Sequence, residues 1–139
     1  MAGAVVSVTL LILIAALHFY WAAGGRAGKS AAIPERNGRP VLNPSALGTS
    51  LVASALLIAA AIVATQAGLL FQDRFQPVPR ILTGLLALIF LARAVGDFRY
   101  VGFFKTIGGS RFARLDTWIF SPLCMFLAAT IADATLRAI

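Results

Sequence analysis

The segment Leu47–Leu70 reads LGTSLVASALLIAAAIVATQAGLL and contains no charged residue. A helix needs roughly 20 apolar residues to cross a hydrocarbon core ~30 Å thick, so this segment is long enough to span a membrane. Membrane β-strands are shorter and alternate polar with apolar side chains, whereas runs such as Val8–Leu17 do not alternate. The segment therefore predicts a transmembrane helix and decides the class of fold.

Three further apolar stretches lie on either side of this segment. The chain of 139 residues is 60% apolar and 12% charged, whereas soluble domains are about 45–50% apolar and about 25% charged. A mean hydropathy of +0.89 excludes an ordinary soluble domain, a disordered protein and a disulfide scaffold. We predict a single all-α domain over residues 1–139, a polytopic membrane protein that forms a four-transmembrane-helix bundle. The predicted helices cover about residues 4–24, 45–70, 79–101 and 115–136.

The basic residues are distributed unequally between the two sides of such a bundle, and the net charge is +7. Eight of them fall in or beside the first and third loops: Arg26, Lys29, Arg36, Arg39, Arg99, Lys105, Arg111 and Arg114. Three fall on the opposite side: Arg74, Arg80 and Arg137. This imbalance predicts that loops 1 and 3 are cytoplasmic and that both termini lie outside a bacterial cytoplasmic membrane.

The same charge pattern bears on partners. Basic residues between apolar spans orient a membrane protein and contact anionic lipid, so we expect membrane lipids as partners and no nucleic acid. Association of the chain into a homo-oligomer stays open.

Several kinds of chemistry are excluded by the residues that are missing. The single cysteine, Cys124, excludes an internal disulfide and a two-cysteine redox motif. The single histidine, His18, excludes a haem held by two histidines, and the chain contains no HExxH, phosphate-binding glycine loop or GxSxG motif. We therefore predict no metal site, and the sequence identifies no cofactor.

Ionisable residues within apolar stretches mark a candidate site, because they are costly in a membrane. Counting residues places His18 and Arg93 roughly 9–12 Å below the cytoplasmic face. Asp97 lies nearer that face, and Asp116 enters the membrane from it. We expect these four side chains to face one cavity. The candidate ligand-binding residues are His18, Trp21, Arg93, Asp97, Tyr100, Asp116 and Ser121.

The main members of this set also have a purely structural interpretation. His18 can be a neutral side chain that is hydrogen-bonded to a neighbouring helix. Arg93 and Asp97 stand four residues apart, which predicts an ion pair on one helix face. Asp116 favours the N-terminus of a helix through the helix dipole, and Trp21 is typical of the aromatic belt at a membrane surface.

Five motifs carry a family resemblance. They are HFYWAAGG at 18–25, IPE at 33–35, RAVGDFRYVGFFK at 93–105, FARLDT at 112–117 and SPLC at 121–124. Together they resemble a bacterial family of small four-helix integral membrane proteins catalogued as a domain of unknown function. The resemblance covers nearly the whole chain and implies four helices but no activity. Its motif residues coincide with the polar cluster described above.

Three functions are compatible with this pattern. The leading prediction is a membrane protein with a polar pocket in its cytoplasmic half, which binds or carries a small amphipathic or anionic ligand. Arg93 would supply charge, and His18 would supply a proton or a hydrogen bond. One alternative is an intramembrane enzyme acting on a lipid, isoprenoid or quinone, with His18 and Glu35 or Asp116 as the acid and base. The other is a structural membrane subunit without a site.

Overall fold

The described chain, residues 1–71 and 77–137 of this computed structural model, is mainly helical. Its helices are α1 (Ala2–Ala22), α2 (Ala46–Gln66), α3 (Pro77–Val95), α4 (Arg111–Leu115) and α5 (Ser121–Arg137). A 3-10 turn (Ser30–Ala32) and a hairpin of two short antiparallel strands, β1 (Glu35–Arg36) and β2 (Arg39–Pro40), lie between α1 and α2. The all-α class is as predicted. Arg74, which entered the count of basic residues, lies outside the described residues.

Three helical segments are long and apolar enough to cross a membrane by length and composition. They are α1, α2 and the continuous run Arg111–Arg137, in which a π-helical turn (Asp116–Phe120) joins α4 to α5. That run begins four residues before the predicted start at residue 115. The earlier start has a local cause, because the Ser110 hydroxyl accepts the Ala113 N–H and so caps α4.

The two ends of α2 show where local rules succeed and fail. The Ser45 hydroxyl accepts the Gly48 N–H and so caps the start of the helix, as expected of a serine directly before an apolar run. The helix ends at Gln66 and not at residue 70. Gly68 has φ +69° there, and the Leu69 N–H donates to the Ala64 carbonyl at 2.8 Å. This glycine termination ends the helix although the chain remains apolar.

The helices pack in a ring, since α1 lies along α2, α3 lies along α5, and both α2–α3 and α1–α5 are in contact. Leu11, Val63, Leu127 and Ile131 are fully or almost fully buried where the helices meet. The ring therefore closes around one apolar core.

Two contacts fix which loops share an end of the bundle. The hydroxyls of Ser7 in α1 and Thr130 in α5 are hydrogen-bonded at 2.6 Å, which places the start of α1 beside the last part of α5. At the other end, the turn Ser30–Ala32 packs against α4. Loops 23–45 and 96–110 therefore meet at one end of the bundle, which we call the basic end.

Candidate functional site

The site begins where α3 stops. Helix α3 ends at Val95, six residues before the predicted end at residue 101. Gly96 then adopts φ +93°, and one Asp97 carboxylate oxygen accepts the backbone N–H groups of the next loop residues. These donors are Arg99 at 2.9 Å, Tyr100 at 2.7 Å and Val101 at 3.0 Å. Asp97 thus organises a loop instead of extending a helix face.

This arrangement makes the loop sensitive to acid. The hydrogen bond from the Val101 N–H, together with those from Arg99 and Tyr100, holds the pKa of Asp97 below its ordinary value of 3.8. A carboxyl group with a lowered folded-state pKa stabilises the fold above its unfolded pKa, and this contribution is lost as the pH falls through the folded pKa. We expect the thermal midpoint of the wild type to exceed that of Asp97→Asn at about pH 6, and the difference to shrink towards about pH 3. A difference that does not vary with pH would contradict this assignment.

Asp116 is the centre of the site and is fully buried. Its Oδ1 accepts from Arg93 Nη2 at 2.8 Å, and its Oδ2 accepts from the Gly102 N–H at 2.7 Å and from Lys105 Nζ at 3.1 Å. The predicted ion pair between Arg93 and Asp97 is therefore wrong. Because α3 ends between them, Asp97 does not lie one helical turn beyond Arg93 on the same face. The partner of Arg93 comes instead from the start of the last helical run.

Lys105 is the member that sequence reasoning missed, because it was counted only among the basic residues that set orientation. Its side chain is 6% exposed. Besides Asp116, its ammonium group donates to the Gly102 carbonyl at 2.9 Å and to the Thr117 hydroxyl at 2.6 Å. All three ammonium hydrogens are thereby used, so Lys105 fixes the loop onto the last helical run. The signal in the sequence was its place in the same motif as Arg93 and Asp97.

The π-helical turn places Ser121 one turn beyond Asp116. The Ser121 N–H donates to the Asp116 carbonyl five residues back. The turn stands directly before Pro122, which has no N–H and would clash with the carbonyl four residues earlier in a regular α-helix. Ser121 is fully buried, and Cys124 is half-buried. The start of α5 therefore carries a buried hydroxyl one turn beyond Asp116.

Two buried polar atoms, one on Arg93 and one on Ser121, are left without a partner. Within residues 1–71 and 77–137, Arg93 Nη1 and Ser121 Oγ are buried and make no hydrogen bond. The cluster also joins two cations, Arg93 and Lys105, to the single carboxylate of Asp116. It therefore has an excess of one positive charge and unused hydrogen-bonding capacity.

His18 and Trp21, two more of the predicted ligand-binding residues, make hydrogen bonds within α1 and the loop that follows it. His18 Nδ1 donates to the Ile14 carbonyl at 2.8 Å, and its ring centroid lies 5.1 Å from that of Trp21. The Trp21 indole N–H donates to the Ala27 carbonyl, so Trp21 ties the first loop to α1. In the part of the chain that the structure describes, no hydrogen bond or ion pair joins His18 to Arg93 or Asp116. A single cavity shared by all four ionisable residues stays a prediction.

The remaining candidates lie in the loops. Glu35 is half-buried in β1, and Tyr100 is half-buried with the Arg99 guanidinium 5.2 Å from its ring centroid. Within the described ranges, no three His, Cys, Asp or Glu residues are grouped so that they could hold a metal ion.

Comparison with known families finds one match that covers most of the chain. Residues 11–131 match the family described as "Protein of unknown function (DUF3995)". The chain belongs to this family. The match extends from within α1 to within α5 and so includes Arg93, Lys105 and Asp116. No curated protein and no solved structure matches the chain.

Proposed function

We propose that this DUF3995 protein is an integral membrane protein of a bacterial cytoplasmic membrane that spans the bilayer four times. The support is the three long apolar helical segments and the position of α3 alongside α5 in the same ring. The excess of basic residues at the basic end favours placing that end in the cytoplasm, with both termini outside.

For a membrane protein of this kind, the function that the geometry supports best is the binding or transport of a small anionic or amphipathic ligand. The ligand would bind at the cluster around Arg93. The observation that carries the proposal is the pair of buried atoms without partners, Arg93 Nη1 and Ser121 Oγ, beside an excess of positive charge. A buried donor without a partner costs about 1–3 kcal/mol, and more when it is charged. An anionic ligand would remove that cost and balance the charge.

The chemistry of the donors narrows the class of ligand. A guanidinium group presents a planar fork of N–H donors that matches a carboxylate or a phosphate. Arg93 uses Nη2 on Asp116 and keeps Nη1 for another acceptor. The buried hydroxyl of Ser121 follows Asp116, the partner of Arg93, by one helical turn, and the bundle around them is apolar. A phosphate or carboxylate with an apolar tail fits this combination.

The alternative of an intramembrane enzyme receives less support. Both carboxylate oxygens of Asp116 already accept hydrogen bonds from cationic or backbone donors, so Asp116 is poorly suited to take a proton from a substrate. His18 is occupied by the Ile14 carbonyl through Nδ1, which leaves Nε2 for other chemistry. A structural subunit would not need the unused donor of Arg93.

Binding of dodecyl phosphate to the full chain in a nonionic detergent tests the proposal, with dodecanol as the uncharged reference. We expect saturable binding of the phosphate, and at least about a tenfold loss of affinity in Arg93→Gln, because a hydrogen bond to a charged group is worth about 1.5–3 kcal/mol. The matched control is Arg80→Gln, which changes an exposed arginine of the same helix and should bind as the wild type does.

A second variant keeps the test decisive if Arg93→Gln unfolds. Ser121→Ala removes a hydroxyl that has no partner, so it should fold at least as well as the wild type and still bind more weakly. Equal affinity for dodecyl phosphate and dodecanol, or unchanged affinity in both site variants, would overturn the proposal.

A further inference from the structure

The loop that follows α3 is a rigid element and not a loose connection. The Phe103 N–H donates to the Ala94 carbonyl at 2.8 Å, and the Ile107 N–H donates to the Arg99 carbonyl at 2.9 Å. The Thr106 hydroxyl donates to the Phe98 carbonyl at 3.1 Å. The Asp97 carboxylate accepts three further backbone N–H groups of the loop, and Asp116, just after α4, accepts the Gly102 N–H. Together these hydrogen bonds hold residues 96–107 against the C-terminal end of α3 and the C-terminal end of α4.

Within this rigid loop, one residue occupies an unfavourable backbone conformation. Phe98 has φ +61°, in the left-handed region that bulky side chains avoid. Such strain persists where the surroundings impose it and often marks a functional position. Here the bonds to the Asp97 carboxylate and to the Phe98 carbonyl impose it.

Two phenylalanine rings of this loop, Phe98 and Phe104, lie on the outside of the protein. Phe98 is 60% exposed and Phe104 is 62% exposed, and their ring centroids lie 6.3 Å apart. The loop therefore presents a preformed apolar pair that no other described part of the chain covers.

Exposed basic residues share the basic end of the bundle with this aromatic pair. Arg99, Arg111 and Arg114 are exposed in or directly after the loop, and Arg26, Arg36 and Arg39 are exposed in the other loop at this end. The acidic residues of the two loops are Glu35 and Asp97, and the Asp97 carboxylate is engaged by backbone N–H groups. An exposed apolar pair at an end of the bundle that is rich in exposed arginines complements a surface that is negatively charged above and apolar below, which is an anionic lipid leaflet.

We infer that Phe98 and Phe104 insert into the interfacial layer of the membrane and that Arg99, Arg111 and Arg114 bind the headgroups of anionic lipids. The inference rests on the membrane insertion proposed above, but it is independent of the anion site at Arg93. Insertion of the two rings and pairing of the arginines would fix the depth of the basic end in the leaflet.

Quenching of tryptophan fluorescence by brominated lipids tests the insertion. The variants Phe98→Trp and Phe104→Trp are made in full-length protein carrying Trp118→Phe, which removes an exposed indole and leaves the buried Trp21 as constant background. In vesicles, we expect both new indoles to be quenched more strongly by lipids brominated near the headgroup than by lipids brominated near the chain end. Absence of quenching above the background would overturn the inference.

A reference variant separates this inference from the proposed membrane insertion. Leu57→Trp places an indole in the middle of α2, where it should be quenched by bromines near the chain end. If Leu57→Trp is quenched and the loop variants are not, only the loop inference fails. If none is quenched, the proposed insertion itself fails.

The lipid preference is measured in the same vesicles. Native mass spectrometry should find phosphatidylglycerol retained over phosphatidylcholine, and the triple variant Arg99→Gln, Arg111→Gln, Arg114→Gln should lose most of that preference. The matched control, Arg80→Gln with Arg137→Gln, removes exposed arginines outside the basic end and should keep it. A separate variant, Phe104→Cys, tests whether a second copy of the chain covers the aromatic pair. Efficient cross-linking of two chains through this cysteine, with no quenching of the tryptophan variants, would overturn the inference.

Discussion

Replacing Asp116 by asparagine is expected to lower the free energy of unfolding by about 3–5 kcal/mol, the usual cost of removing one partner from a buried ion pair. Asp116 is fully buried and accepts from Arg93, Lys105 and Gly102. An asparagine side chain would leave the two cations without a counter-charge and would turn an N–H₂ group towards donors. Unfolding of the purified protein in mixed detergent micelles provides the measurement.

The control for this loss is Asp133→Asn. Asp133 pairs with Arg137 on the same helix, but both side chains are largely exposed. Removal of such a pair should change the free energy of unfolding by no more than about 1 kcal/mol. Similar losses in the two variants would contradict the central role given to Asp116.

Double-mutant cycles, based on the same free energies of unfolding, identify the partner of Arg93. Alanine at Arg93 and Asp116 together should cost less than the sum of the single changes, with a coupling of about 0.5–3 kcal/mol. Arg93 and Asp97 should be additive, because they share no hydrogen bond or ion pair in the described chain.

The second large effect is expected at Gly102, where alanine should cost more than about 3 kcal/mol. Gly102 has φ +89°, and a Cβ atom there would overlap the Val95 carbonyl group. Its N–H also donates to Asp116, so any shift that relieves the overlap would pull the loop away from the ion pair. The free energy of unfolding and the retention of dodecyl phosphate binding should therefore fall together.

Gly109→Ala provides the matched comparison. Gly109 has φ +88°, almost the same backbone conformation, but a Cβ atom there meets no neighbouring atom within contact distance. Only the backbone strain applies, which is about 1–2 kcal/mol. If Gly102→Ala were no worse than Gly109→Ala, the close approach of the loop to α3 would not matter for stability.

The apolar composition of each continuous stretch predicted the helical class, because apolar runs of membrane-spanning length leave few alternatives to a helix. The capping hydroxyl of Ser45 was also predictable, since it acts on a residue only three positions away. Both successes depend on information that is local in the chain.

The partner of Arg93 was not predictable by the same means. The rule that pairs residues four positions apart holds only where one helix contains both of them. The predicted helix ran to residue 101 and so contained both Arg93 and Asp97, but α3 ends at Val95. The local sign of the helix end is Gly96, a residue type that often follows the last turn of a helix. Lys105 and Asp116 approach each other only after the loop folds back, so their contact depends on three-dimensional packing.

The π-helical turn at Asp116–Phe120 has the geometry of an extra residue inserted into a regular helix. Deleting one residue from it, such as Ile119, would restore regular winding and keep Asp116 on the face of Ser121, because four α-helical residues turn about as far as five π-helical ones. The contacts of Asp116 with Arg93 and Gly102 should therefore survive that deletion. The same deletion in the regular part of α5 would rotate Asp116 by about 100° relative to the residues beyond it. The extra residue of the π-helical turn thus makes this stretch tolerant of a change in chain length that the rest of the helix would not accept.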